Sequence, residues 1–470
     1  MWTARFGVEV EFACYCATLY NLNEAIMVDL QNGLIALVSV TVVLGIMILV
    51  HEWGHFVAAK LAGVRVEVFS FGFGARIFGV KRGDTDYRLS ALPFGGYVRM
   101  AGDNPVEERT GAPYEFLSKP RWVRVLIAIA GPAMNILLAF LIFWGIFWLK
   151  GVPEPEYLQQ TPQVAAMPQK PPIATGIQAG DRIVAVKGVK TPTWDKVFEQ
   201  IAKAKPGSSA EITVIRNNAE QTFTVPVASV KLDASNVLGY PSMAPVADEI
   251  AIGFPAEKAG MRPGDTIVSI NGKPVVTWPQ LVEVVRASEG RPINFVVRRD
   301  GQEIPIEITP THGMGSDGES VWQIGVSPRT NDSYHRQGLI ESVRDAGLAT
   351  VGGMRQIFDV LTGLFTGKVS IRQLQSVVGI ARESGRAAKG GPMRLIEFMA
   401  IISLNLGLLN LLPIPILDGG HVLMLAIEGA LRRDLSVTVK ERFVQVGLVF
   451  LLGIFGFVMY SDILKLIQHH

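Results

Sequence analysis

Residues 34–55 read LIALVSVTVVLGIMILVHEWGH. The stretch 34–50 carries no charge and runs straight into His51. A membrane span needs about 20 apolar residues, so this one is complete only if its helix continues through His51, Glu52 and His55. Ionisable groups at membrane depth are expensive and mark function by default. These three form an H-E-x-x-H pattern. Histidines four apart share one helix face and can bind one Zn²⁺ through neutral imidazoles. Glu52 sits one step aside, placed to take a proton from water at the metal and pass it to a leaving amine.

Three further charge-free stretches follow, at residues 125–149, 398–417 and 443–461. Each is long enough to span. Basic residues flank them: Lys60 and Arg65 after the first, Lys119, Arg121 and Arg124 before the second, and Arg432, Arg433, Lys440 and Arg442 between the third and fourth. The positive-inside rule makes these flanks cytoplasmic. Both termini and the stretch from about 150 to 395 are then expected outside. Residues 1–29 show no clear period and no signal-peptide n-region, and Met27 just before the first span is the expected natural start. No role is assigned to His469 and His470.

The composition agrees. Of 470 residues, 49% are apolar and 18% charged, and mean hydropathy is +0.30. That is too apolar for a simple cytosolic enzyme, since ordinary soluble domains carry about 25% charge. A net charge of +2 argues against a nucleic-acid binder, which usually shows a basic face. Only Cys14 and Cys16 are present, which excludes a disulfide framework and a four-cysteine zinc site.

A zinc site needs a third protein ligand and an open position. The third span ends in Asn410-Leu-Leu-Pro413-Ile-Pro415-Ile-Leu-Asp418-Gly419-Gly420-His421. Its two prolines break the helix, and irregular backbone at membrane depth is tolerated only where protein or water satisfies it. Asp418 is the one carboxylate between Phe398 and Ala426 and is the expected ligand; His421 is its competitor.

Between spans two and three the chain repeats. Gly176, Gly180, Asp181, Ile183, Val184, Gly188 and Trp194 recur as Gly260, Gly264, Asp265, Ile267, Val268, Gly272 and Trp278. Each copy reads as a Gly-Asp turn, a strand, a second turn, a helix and another strand pair. The pattern resembles circularly permuted bacterial PDZ domains in tandem. Such domains bind peptides by adding a strand to a sheet edge. No residue here names a ligand for them. Residues 65–100 read as strands and tight turns, and an unpaired strand edge there could hold a substrate in extended form. Two amphipathic helices are expected around 337–366 and 370–388, lying on the outer leaflet or on the protein body.

The chain resembles the site-2 protease family of intramembrane zinc metalloproteases over about residues 30–465. The resemblance rests on H-E-x-x-H, F-G-F-G at 71–74, Leu92-Pro-Phe-Gly-Gly-Tyr-Val-Arg-Met100, Gly131-Pro132-x-x-Asn135, the PDZ pair and N-x-x-P-x-P-x-L-D-G-G, in that order. It implies Zn²⁺ held by His51, His55 and Asp418, with Glu52 as general base. Asn410, and with it Asn135, Pro413 and Pro415, is implied to position substrate.

The fold class expected is a multi-span α-helical membrane protein: four transmembrane helices and a membrane-associated β region, carrying two α/β PDZ domains. Its parts are an N-terminal extension (1–29), the first transmembrane helix (30–62), the β region and loop (65–118), the second helix (122–149) and PDZ domains at 150–235 and 236–330. An amphipathic helical region (334–395), a broken third helix (396–430) and a fourth helix (443–465) complete it. The activity implied is cleavage of single-span membrane proteins within the bacterial inner membrane, on its cytoplasmic side. Implied substrates are a pre-trimmed anti-sigma factor and signal-peptide remnants. The rival reading is a non-catalytic membrane PDZ scaffold; the intact Glu52 argues against it.

Overall fold

A computed structural model describes residues 4–104, 110–169, 171, 175–205, 208–226, 237–251, 253–314, 320–329, 332–367 and 376–467. Residues 370–375 of the second expected amphipathic helix, and His469 and His470, lie outside the described residues. The chain divides into two compact units. One comprises Met1–Leu149, Gly338–Phe358 and Ile371–His470; the other comprises Lys150–Gln337 and Asp359–Ser370.

In the first unit, helix α1 runs Ala4–Leu61 and so does carry the apolar run through His51, Glu52 and His55. It stops where the sequence offers Gly63, which takes φ +66°. Val64 N–H then reaches Ala59 O at 2.8 Å and Gly63 N–H reaches Lys60 O at 3.0 Å, the paired bonds of a glycine-terminated helix end.

Strands β1 (Val66–Arg82) and β2 (Thr85–Met100) follow. They are not a plain hairpin. Val68–Phe71 pairs with Asp86–Leu89 on one side and with Gly96–Arg99 on the other, while Phe78–Arg82 pairs with Thr85–Leu89. Two strands thus bend into four runs. Gly72, at φ +88°, sits where a Cβ would press on the Ser90 and Leu92 carbonyls, so the fold-over needs glycine there.

Helix α2 spans Arg121–Leu149 with Pro132 inside it. It crosses α1 closely, because a Cβ on Gly54 would collide with the Ala130 carbonyl. Helices α3 (Leu339–Phe365) and α4 (Val377–Lys389) match the two amphipathic segments. The α4 helix rests on the protein body: Gly385 meets Ala36 of α1, Lys389 hydrogen-bonds Asn32, and Gly379, Ser384 and Gly385 are buried.

Helix α5 covers Pro392–Asn410, α6 Asp418–Leu431 and α7 Val437–Ile467. The charge-free run 398–417 is therefore not one helix. It leaves the helix at Leu411, where two prolines follow within four residues. Ile416 takes φ +85°, which a β-branched residue adopts only when its surroundings force it. The returning backbone packs so tightly that a Cβ on Gly419 would collide with the Leu411 and Leu412 carbonyls. Ser403 Oγ–H on α5 donates to the Asn135 carbonyl at 2.8 Å, and Ala139, Ala400 and Leu404 form a small core between α5 and α2.

Among the described residues four helical segments are long and apolar enough to cross a membrane: Gln31–Leu61, Arg121–Leu149, Pro392–Asn410 and Val437–Tyr460. The last begins before the charge-free run and takes in Lys440, which pairs with buried Glu428 at 2.7 Å.

The second unit holds two four-stranded sheets. In one, Arg182–Val186 is flanked by Val189–Lys190 and Ser209–Arg216, with Ala219–Pro226 outermost. The other has the same order: Lys273–Pro274, Thr266–Ile270, Ile293–Arg299, Gln302–Ile308. Each sheet packs on one helix, Trp194–Ala202 or Trp278–Ala287, through a buried tryptophan. Each Gly-Asp turn is tied down alike. Asp181 meets Arg216 and Asp265 meets Arg299, both at 2.7 Å with the carboxylate only 1% exposed. Burial pushes each carboxyl up, but the arginine fork and a backbone amide outweigh it and hold both below the usual carboxylate range.

Candidate metal centre

The H-E-x-x-H spacing puts His51 and His55 one above the other on α1. Their Nε2 atoms lie 3.2 Å apart. Asp418, the first residue of α6, reaches both: Oδ2 is 3.1 Å from His51 Nε2 and Oδ1 is 3.4 Å from His55 Nε2. A carboxylate in the first turn also suits the helix dipole. One donor atom from each of the three lies within 4.8 Å of the others, the one such group found among the described residues. Two imidazoles and a carboxylate form a nitrogen–oxygen donor set of the kind zinc accepts, with room for a fourth position.

The surroundings fit an ion at this point. His55 Nδ1–H donates to the Ile127 carbonyl at 2.8 Å, which leaves its Nε2 free to bind. Gly131 stands where a Cβ would intrude on His55 Nε2 and His51 Cε1, so the absent side chain keeps space around both rings. Ile127, Gly131 and Asn135 are four apart on α2, the same spacing as the two histidines they face.

A cavity of about 900 Å³ opens on this group. Glu52, Tyr97, Val98, Asn410, Ile416 and His421 share its wall with the three candidate ligands. Glu52 faces the Val98 backbone N–H. Gly96–Arg99 is an outer run of the sheet: its inner side pairs with Val68–Phe71. The residues expected to position substrate divide. Asn410 lines the cavity. Asn135 is fully buried, its amide 3.3 Å from His51 Nδ1. Pro413 and Pro415 lie in the break and are not among the lining residues.

Sequence reading missed the Ile127 carbonyl, because any residue supplies one. It read Arg124 and Lys440 only as topology markers and passed over Glu428; all three line the same cavity. The signal for Glu428 was available, since it is a lone acid in the apolar run after Asp418.

Apolar helices thus carry a histidine pair on the first of them and meet a carboxylate from a broken helix, and together these residues could hold one metal ion. The sequence profile of Peptidase family M50 matches residues 39–454, and the chain belongs to this family. The regulator of sigma E protease of Salmonella typhi is 31% identical over 92% of this chain and 98% of its own. The regulator of sigma-E protease RseP of Escherichia coli strain K12 gives the same figures. A Vibrio cholerae protein whose name includes the words zinc metalloprotease is 32% identical over 94% of this chain and 100% of its own.

Proposed function

We propose that the chain is a zinc endopeptidase that cuts single-span membrane proteins within or beside their membrane segment. The observation that carries this is the convergence of His51, His55 and Asp418 on a cavity that also holds Glu52 and an outer strand run. His51, His55 and Asp418 would hold Zn²⁺, which when bound would supply Lewis acidity toward a carbonyl and water. Glu52 takes the proton from the attacking water and delivers it to the leaving amine. A helical substrate hides its peptide bonds in its own hydrogen bonds. The outer side of Gly96–Arg99 offers backbone groups to an opened segment, and Asn410 offers it a side-chain amide. The protein body is placed in the bacterial inner membrane, with the chemistry toward the cytoplasmic side as the basic flanks direct. The test uses purified protein in vesicles with a trimmed single-span substrate. Chelation is expected to stop cleavage and Zn²⁺ to restore it; cleavage that survives full chelation rejects the reading.

The two sheet units of Lys150–Gln337 are proposed to be PDZ domains that restrain access. Every side chain given a chemical role lies in the other unit, so they act on admission of substrate. A pre-trimmed anti-sigma factor or a signal-peptide remnant suits such a filter. Deleting about residues 160–310 is expected to let an untrimmed substrate be cut while the trimmed form is cut much as before. Equal slowing of both forms, with zinc content intact, rejects the filter in favour of peptide docking.

A further inference from the structure

The cavity has a second end, away from the metal ligands. Asp418, His421, Leu425 and Glu428 all line it, and their spacing sets them along one face of α6. From Asp418 to Glu428 the helix rises about 15 Å. A peptide drawn out beside it covers that length in about four or five residues. The wall between is apolar, with Met424, Leu425 and Val444. The far end is charged, and its cations are already engaged. Lys440 Nζ lies 2.7 Å from Glu428 Oε1. Arg124 and Lys440 also act on Asp434, the carboxylate that Arg121 holds at 2.7 Å. The carboxylates are not all engaged. Glu428 is 1% exposed, and its Oε2 has no hydrogen-bond partner among the described residues. Glu441 lines the cavity beside Lys440, is exposed, and enters no ion pair among the described residues.

We propose that Glu441 selects substrates by pairing with a Lys or Arg side chain on the cytoplasmic flank of their membrane segment. This rests on the protease reading above and deepens it. The basic flanks put the starts of α2 and α7 and the end of α6 on the cytoplasmic side, so a substrate's cytoplasmic flank arrives at this end of the cavity. Single-span proteins carry Lys and Arg on that flank by the same rule. The apolar wall suits the membrane residues between the cut bond and the flank. A Lys or Arg stem can lie along that wall while its head reaches the carboxylate. The cation then stands about four or five residues from the cut bond. Glu428 supports the arrangement from behind: by holding Lys440 it keeps that cation from neutralising Glu441 one residue on. A contact this far from the metal is made equally before and during the reaction, so its effect belongs to KM rather than kcat.

The test uses the full-length, zinc-loaded protein in vesicles of zwitterionic phosphatidylcholine, so that lipid charge does not compete. A trimmed single-span substrate carries Lys, Ala or Glu at one flank position, about four or five residues from the cut bond on its cytoplasmic side. Mass spectrometry confirms that all three are cut at the same bond. Wild type is expected to prefer Lys over Glu by about fivefold in kcat/KM, the stronger end of the range for one exposed ion pair. The preference should sit in KM and shrink as salt is raised. Glu441→Lys is expected to reverse the order, so that the Glu substrate is preferred. Equal kcat/KM for the Lys and Glu substrates in wild type, or a Lys preference that persists in Glu441→Lys, overturns the proposal. Should Glu441→Lys not fold, as judged by zinc content and thermal stability, Glu441→Gln takes its place and is expected to level the Lys and Glu substrates. Failure of the zinc-loaded wild type to cut any of the three overturns the protease reading itself, and this proposal with it.

Discussion

Glu52→Gln is expected to abolish peptide-bond cleavage and leave both fold and metal content unchanged. Glutamine has the same size and shape, and Glu52 is not one of the three converging donors. What it loses is the ability to take a proton. General acid–base catalysis contributes about 10²–10⁴-fold, and here the same group would activate the nucleophile and protonate the leaving amine. The loss should fall at or beyond the upper end of that range. The Val98 backbone N–H that faces the carboxylate can still be met by the amide oxygen, so the strand run beside it has no reason to shift. Cleavage of a trimmed single-span substrate and zinc content would be measured on the same preparation. Retention of more than roughly a tenth of wild-type activity would remove Glu52 from the role of base.

Asp418→Ala is expected to strip the metal, whereas His421→Ala should keep it. Both residues line the cavity, and the sequence alone left them in competition. Distance separates them. The two Asp418 oxygens lie 3.1 and 3.4 Å from the histidine Nε2 atoms, and His421 is outside the converging group. Removing a direct ligand should cost more than the roughly 10–100-fold that follows loss of a supporting group. Zinc content after gel filtration gives the answer. Stoichiometric zinc in Asp418→Ala, with loss in His421→Ala, would show that the other residue is the ligand.

Much of this site was legible in the chain because its parts are local. Residues four apart share a helix face whatever else the protein does, so His51 and His55 were a pair before any fold was known. Prolines at 413 and 415 stop a helix on steric grounds alone, and the structure breaks where they stand. The strand–helix–strand order of the two sheets also follows from local turns and alternation, and each Gly-Asp turn appears where its dipeptide stands.

Other features depended on packing between distant segments. The prolines place the break in residues 398–417, but only the packing of the returning backbone against Gly419 and Gly420 sets how closely the chain folds back there. The pattern of α4 left open whether it lies on the outer leaflet or on the protein body, and its small residues seat it on α1. Asn135 reads as one polar residue in an apolar helix, and only the crossing of α2 over α1 sets its amide against a histidine 84 residues away.

The sequence by itself determined where the chain can cross a membrane, which residues are candidates for metal and proton chemistry, and where the backbone must break. Those properties follow from apolar run length, helical period and proline sterics, all set within a few residues. The tertiary structure decided which carboxylate meets the histidines, which carbonyl and amide hold their rings, and which strand run forms the cavity wall. Those are contacts between segments far apart in sequence. They depend on how closely two helices approach, and that is set by side chains such as Gly54 and Gly131, whose contribution is space that no local pattern records.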